Sequence, residues 1–141
     1  MPTNYYVNQT ALNRLEVALG NNAITPTAGN SVDGQGSAGQ LVIGSSSLTP
    51  NSSTGVLATI TLSYPSFTYA TRTASLSGVP LSAVASATGT AALAELRDHA
   101  GNTIVNGLTV GLSGSGADVI INTTAITSSQ TVTCTAGTLT G

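Results

Sequence analysis

Apart from its many hydroxyls, one histidine, one cysteine, three arginines and five carboxylates are the side chains in this sequence of 141 residues that could do conventional chemistry. There is no lysine, which removes Schiff-base chemistry and the phosphate-binding lysine of a P-loop. His99 stands beside Asp98, but a catalytic imidazole needs a carboxylate held against it in space, and adjacency in sequence does not place one there. The pair falls in Asp98-His-Ala-Gly-Asn102, a five-residue hairpin loop, and the expectation is a solvated polar turn. Cys134 lies on the apolar side of a terminal strand and is expected to be a small buried hydrophobe. One histidine and one cysteine cannot complete a structural zinc site.

Calcium needs several oxygens converging on one loop. Asp33 and Asp118 each occupy a glycine-rich loop, and neither has an acidic companion nearby. Gly34-Gln-Gly36-Ser-Ala-Gly39 spells G-x-G-x-x-G, yet it follows a loop and precedes a strand. The dinucleotide fingerprint requires the reverse, a strand before the glycines and a helix N-terminus after them. These residues predict a protein that is not an enzyme, with no cofactor and no metal. The aromatic residues are Tyr5, Tyr6, Tyr64, Phe67 and Tyr69. The group at 64–69 suggests either a carbohydrate platform or packing in a core or interface, and packing is the default for rings with one wet end.

Charge is the unusual feature of the composition. Charged residues make up 6% of the chain, against roughly 25% in ordinary soluble domains. The positives are Arg14, Arg72 and Arg97; the negatives are Glu16, Asp33, Glu95, Asp98 and Asp118. The surface must therefore consist of Ser, Thr, Asn, Gly and Ala, and the expectation is that neighbours cover much of it. Three scattered arginines make no basic stripe, so no nucleic-acid partner is expected. Hydrophobic residues at 40% and a net charge of −2 argue against intrinsic disorder. No run approaches the ~18 apolar residues of a membrane span, so no membrane partner is expected. Residues 1–7 lack a basic start and an apolar stretch, which predicts no secretion signal. With one cysteine there is no intrachain disulfide. The N-x-S/T triplets at Asn8, Asn51 and Asn122 are expected by chance in a chain so rich in Ser and Thr.

Leu12, Leu15 and Leu19 recur at helical spacing and predict one short amphipathic helix, capped by Asn8 or Thr10 and ended by Gly20. Residues 21–40 read as a long small-residue arm. From there strand follows strand: 41–44, 56–62, 66–70, 73–85, 90–97, 103–110, 119–122 and 132–139, separated by Gly- and Pro-rich turns. Short, closely spaced strands without intervening helices predict an all-β fold, an antiparallel β-sandwich or barrel-like domain. It carries one short N-terminal helix and long Gly/Ser/Thr-rich loops. The expected division is a helix and extended arm at 1–40 and a β-sandwich domain at 41–141. The helix, with Tyr5, Tyr6, Leu12, Leu15 and Leu19, is expected to reach a neighbouring subunit, as are Tyr64, Phe67 and Tyr69. The loops at 21–40 and 45–55 complete the expected contact surface.

From Gly39 onward the order of segments is also recognisable. Leu41-Val-Ile-Gly44 is followed by Val56-Leu-Ala-Thr-Ile-Thr-Leu-Ser-Tyr-Pro-Ser-Phe67. Then come Ala87-Thr-Gly-Thr-Ala91, Leu96-Arg-Asp98, Gly101 and Gly116-Ala-Asp-Val-Ile-Ile-Asn122. The set resembles a group of small bacteriophage virion structural proteins. The resemblance implies a virion component, assembled in the bacterial host cytoplasm, and supplies no catalytic residues. It does not fix the place in the particle; the first expectation is a capsid decoration, or cement, protein that binds the major capsid protein or other virion subunits, as a homo-oligomer such as a trimer. A tail, neck or fibre-base component is the alternative within the same group, and a carbohydrate-binding module is the alternative outside it.

Overall fold

A computed structural model describes residues 32, 38–70 and 73–140. The predicted N-terminal helix and most of the arm lie outside these residues. None of the described residues is helical, and eleven strands run in chain order. They are β1 (Gln40–Gly44), β2 (Val56–Thr61), β3 (Phe67–Ala70), β4 (Thr73–Leu76), β5 (Leu81–Val84) and β6 (Gly89–Thr90). β7 (Leu93–Arg97), β8 (Thr103–Gly111), β9 (Val119–Ile121), β10 (Ala125–Ile126) and β11 (Thr131–Thr140) complete the set.

Nine strands form one sheet in the order β2-β1-β7-β8-β9-β11-β4-β3, with β5 also paired to β11. The long β11 holds β5 along its first half and β4 along its second. The sheet curls into a half-barrel, and its ends approach where Ser86 N donates to Leu57 O at 2.8 Å. β6 and β10 pair separately beside the strands that lead into them. The apolar side chains on the concave face make one core, including Leu41, Ile43, Ile60, Phe67, Leu96, Ile121, Ile126 and Val132.

The all-β expectation holds, but the sheet is mixed rather than antiparallel. β8 and β9 run parallel through Val110↔Val119 and Gly111↔Ile120. The segment between them turns back on itself and is pinned by one side chain. Thr109 N and Thr109 Oγ1 donate to Asp118 Oδ2 at 3.0 and 3.1 Å, and Asp118 N donates to Thr109 Oγ1 at 3.0 Å. β11 departs from simple alternation as well. Its register shifts between Cys134 and Ala136, so Val132 and Cys134 face the core before the irregularity and Leu139 faces it afterwards. Such a bulge lets one strand bend between two sets of neighbours.

Val32 belongs to this core. It is fully buried, and it sits where a Cβ on Gly39 would come within 2.4 Å of its Cγ1 and 2.5 Å of the Arg97 carbonyl oxygen. Only glycine fits that approach. One residue of the segment read as an arm is therefore built into the β-domain.

Candidate functional site

The alternation of β7 puts Ala94 and Leu96 in the core and Leu93, Glu95 and Arg97 on the convex face. On an ordinary antiparallel sheet that face would be wet. Here Glu95 is 2% exposed and Arg97 8% exposed, because the loop at 45–55 folds back over them. The loop is shaped by its own backbone bonds: Ser45 N to Gly55 O at 2.9 Å, Leu48 N to Ser45 O at 3.0 Å and Thr49 N to Thr54 O at 3.2 Å. Gly55 has φ +76°, and a Cβ there would meet Leu48 N at 2.5 Å, so the closure of this loop requires glycine. Leu48 drops from the loop onto the sheet and is itself buried.

Beneath the loop lies a compact polar cluster. Arg97 Nε and Nη2 donate to Glu95 Oε1 at 3.0 and 2.8 Å. Thr103 Oγ1 donates to the same oxygen at 3.0 Å. Arg97 Nη2 also donates to Thr49 O at 3.3 Å, tying the loop to the ion pair. Asn51 and Thr103 exchange bonds across the chain: Asn51 N donates to Thr103 Oγ1 and Thr103 N donates to Asn51 Oδ1, both at 2.9 Å. A buried pair loses hydration on both partners and holds only when the geometry and the surrounding hydrogen bonds replace it. Glu95 also lines a cavity of ≈ 240 Å³ together with Leu48, Pro50, Leu93, Asn106 and Gly107.

The β7–β8 hairpin places the remaining reactive residues. Asp98 is fully buried, unlike the solvated turn residue expected. Its Oδ1 accepts from Ala100 N at 3.0 Å and Asn102 N at 2.9 Å, and its Oδ2 accepts from Asn102 Nδ2 at 3.0 Å. The carboxylate thus organises the turn, in the way Asp commonly does, and His99 points into solvent beside it. His99→Ala is expected to leave thermal unfolding within ~0.5 kcal/mol of wild type, the usual range for exposed positions. A larger loss, or the loss of any measurable activity, would show that the imidazole has a role this geometry does not contain.

Cys134 is buried in the core, and burial pushes its thiol up from 9.0 to about 11. A thiol held protonated is a poor nucleophile. The raised value also links stability to pH. Below 9 both the folded and unfolded chains keep the proton; between about 9 and 11 only the unfolded chain releases it, so stability falls as pH rises through that window. Fully developed, a rise of this size is worth about 2.7 kcal/mol; by pH 11, where the folded thiol is itself half ionised, roughly 2 kcal/mol of it has been lost. The stability difference between wild type and Cys134→Ala, measured by urea unfolding, is expected to shift against wild type by that amount from pH 8 to pH 11. A pH-independent difference would mean that the thiol ionises equally in both states.

Among the residues read from sequence as interaction sites, Tyr64 is 57% exposed and Phe67 is 2% exposed in the core. These two rings do not share a surface. The side chain of Tyr69 and all of Tyr5, Tyr6, Leu12, Leu15 and Leu19 lie outside the described residues. No group of three or more His, Cys, Asp or Glu among the described residues is arranged to hold a metal ion. No helix among them is long and apolar enough to cross a membrane. The Glu95–Arg97 cluster escaped the sequence reading. Its one signal was position: in a chain so poor in charge, Glu95, Arg97 and Asp98 fall within four residues.

Comparison with known proteins gives no match to a family model, a curated protein or a solved structure.

Proposed function

We propose that this chain is a structural subunit that works by assembly, and specifically a bacteriophage capsid decoration protein that braces joints between major capsid subunits. The observation that carries the reading is where the charges go. Among the described residues the charged side chains are Glu95, Arg97, Asp98 and Asp118. The first three are buried, and the fourth is half-buried and bonded to Thr109. What remains on the described surface is Ser, Thr, Asn, Gly, the single His99 and scattered apolar side chains.

A free-standing soluble domain relies on surface charge to stay dispersed. A subunit whose surface is to be covered needs no such charge, because interface centres are depleted in it. The resemblance of the segments from Gly39 onward to small virion proteins points the same way. The mechanism would be simultaneous burial of neutral surface at several points, each contact weak and the set strong. The β-domain supplies one part of that surface, and residues 1–40, with Tyr5, Tyr6 and the Leu12, Leu15, Leu19 stripe, supply another.

The reading makes an electrostatic prediction. With so few exposed charges, association with particles or with other copies should hardly change between low and high ionic strength. Sedimentation of the full chain across a salt series measures this. A fall in affinity of about a hundredfold or more, as charge-driven complexes show, would contradict it. A tail, neck or fibre-base subunit would use the same surface chemistry at another place on the particle, and copy number separates the two.

A further inference from the structure

We infer that Asn106 is a site of spontaneous backbone modification: its side chain closes on the amide of Gly107 to give a succinimide, which water opens to aspartate and isoaspartate. The sequence contains a single Asn-Gly step, and it lies within β8. Four asparagines fall among the described residues, Asn51, Asn102, Asn106 and Asn122, and all are exposed. Exposure therefore does not distinguish them, but hydrogen bonding does. Asn51 Oδ1 accepts from Thr103 N at 2.9 Å, Asn102 Nδ2 donates to Asp98 Oδ2 at 3.0 Å, and Asn122 Oδ1 accepts from Thr133 N at 2.9 Å. No hydrogen bond among the described residues holds the side chain of Asn106. The other three must each give up a bond before the amide can react. Each is also followed by a residue with a side chain, Ser52, Thr103 or Thr123, which crowds the attacking nitrogen. Gly107 brings no such obstacle.

The backbone favours the same position. Ring closure turns the Asn106–Gly107 peptide toward the side chain, and a regular ladder resists that turn. Here the ladder is interrupted. The β7–β8 register passes from Ala94↔Leu108 to Leu96↔Val105, so Asn106 and Gly107 share Glu95 as the one residue opposite them. A bulge of this kind leaves its extra residue out of the pairing. Gly107 has φ +73°, a left-handed conformation that glycine adopts freely. A Cβ built on it would meet nothing within 4 Å, so the space around the reacting amide is open.

The chemistry needs only water. Gly107 N, having given its proton to hydroxide, attacks Asn106 Cγ and closes a five-membered imide. The Cγ–Nδ2 bond breaks, and the nitrogen leaves as ammonia with a proton taken from water. Water then adds to one of the two imide carbonyls. Opening at Cγ gives aspartate; opening at the Asn106 backbone carbonyl gives isoaspartate, with the main chain running through Cβ and Cγ. One water is consumed and one ammonia released. Either product adds one negative charge to a formal net charge of −2. That charge arises opposite Glu95, on a described surface poor in charge.

The test is a time course on the full folded chain at two pH values one unit apart. Digests are read by mass spectrometry, with fragmentation that separates isoaspartate from aspartate. Asn106 should convert at least about fivefold faster than Asn51, Asn102 or Asn122, the factor that giving up one hydrogen bond costs. Both aspartate and isoaspartate should form. The rate should rise about tenfold over the pH unit, because the ionised amide is the nucleophile. The same chain unfolded in guanidinium gives the unrestrained rate for comparison. In Asn106→Gln, which needs a larger ring, position 106 should keep its amide over the same period. Conversion at Asn106 in guanidinium but not in the folded chain would show that the β8 ladder locks the site, and would overturn the inference. So would a rate no faster than at the other three asparagines, aspartate without isoaspartate, or equal loss of the amide in Asn106→Gln.

Discussion

Arg97→Ala is expected to destabilise the isolated chain by about 3–5 kcal/mol, the cost of stranding a buried carboxylate. Domains of this size have total stabilities of only about 5–15 kcal/mol, so the variant should be partly unfolded at modest urea concentrations. The cost does not measure the strength of the ion pair. It arises because Glu95, 2% exposed, would be left with only Thr103 Oγ1 donating to it among the bonds described. The Arg97–Thr49 bond would go as well, loosening the 45–55 loop. The double replacement Glu95→Leu with Arg97→Met should recover most of the loss, since a well-packed apolar pair often equals a buried ionic one. Urea midpoints of the three proteins check this. A loss below about 1 kcal/mol in Arg97→Ala would put the pair in the class of surface salt bridges and would mean that the loop does not exclude water from it.

Phe67→Ala should cost a similar ~3–5 kcal/mol, now through a cavity in the core. Phe67 is 2% exposed and stands opposite Leu76 in the β3–β4 pair. Tyr64, three residues earlier and 57% exposed, should give a change within ~0.5 kcal/mol on truncation. Thermal unfolding of the two variants, run beside an assembly assay, separates the roles of two rings that the sequence groups together. Full stability with weakened assembly in Phe67→Ala would move that ring to an interface and contradict its place in the core.

The parts of the fold legible in the sequence were those set by local chemistry. Asp98, Gly101 and Asn102 between two β-type runs mark the β7–β8 hairpin, because turn residues with alternating neighbours encode that unit on their own. The apolar alternation through Ala58, Ile60 and Leu62 marks the core face of β2 and the residue beyond it. The parallel β8–β9 pair was not legible. It consists of two residue pairs, too few to leave a periodic trace, and it is fixed by Asp118 bonding back to Thr109. The bulge in β11 was hidden for a similar reason: Val132, Cys134 and Ala136 alternate perfectly in sequence, and the slip follows from pairing with β5, β9 and β4 at once.

The polar cluster shows the same limit from the other direction. Glu95 and Arg97 alternate with Ala94 and Leu96 as residues of a solvent face would. Only the return of the 45–55 loop, through Leu48 and the Asn51–Thr103 exchange, turns that face into an interior. The sequence also hides the place of Val32. A stretch of small residues reads as a tether, and nothing in its composition says that one valine reaches the core beside Gly39.

The most direct test of the assembly account is quantitative mass spectrometry of purified phage particles produced from the genome that encodes this chain. The account predicts that the chain is a particle component with a copy number comparable to that of the major capsid subunit. It also predicts that the chain stays bound through washes at high salt, as its charge-poor described surface requires. Absence of the chain from purified particles would contradict it.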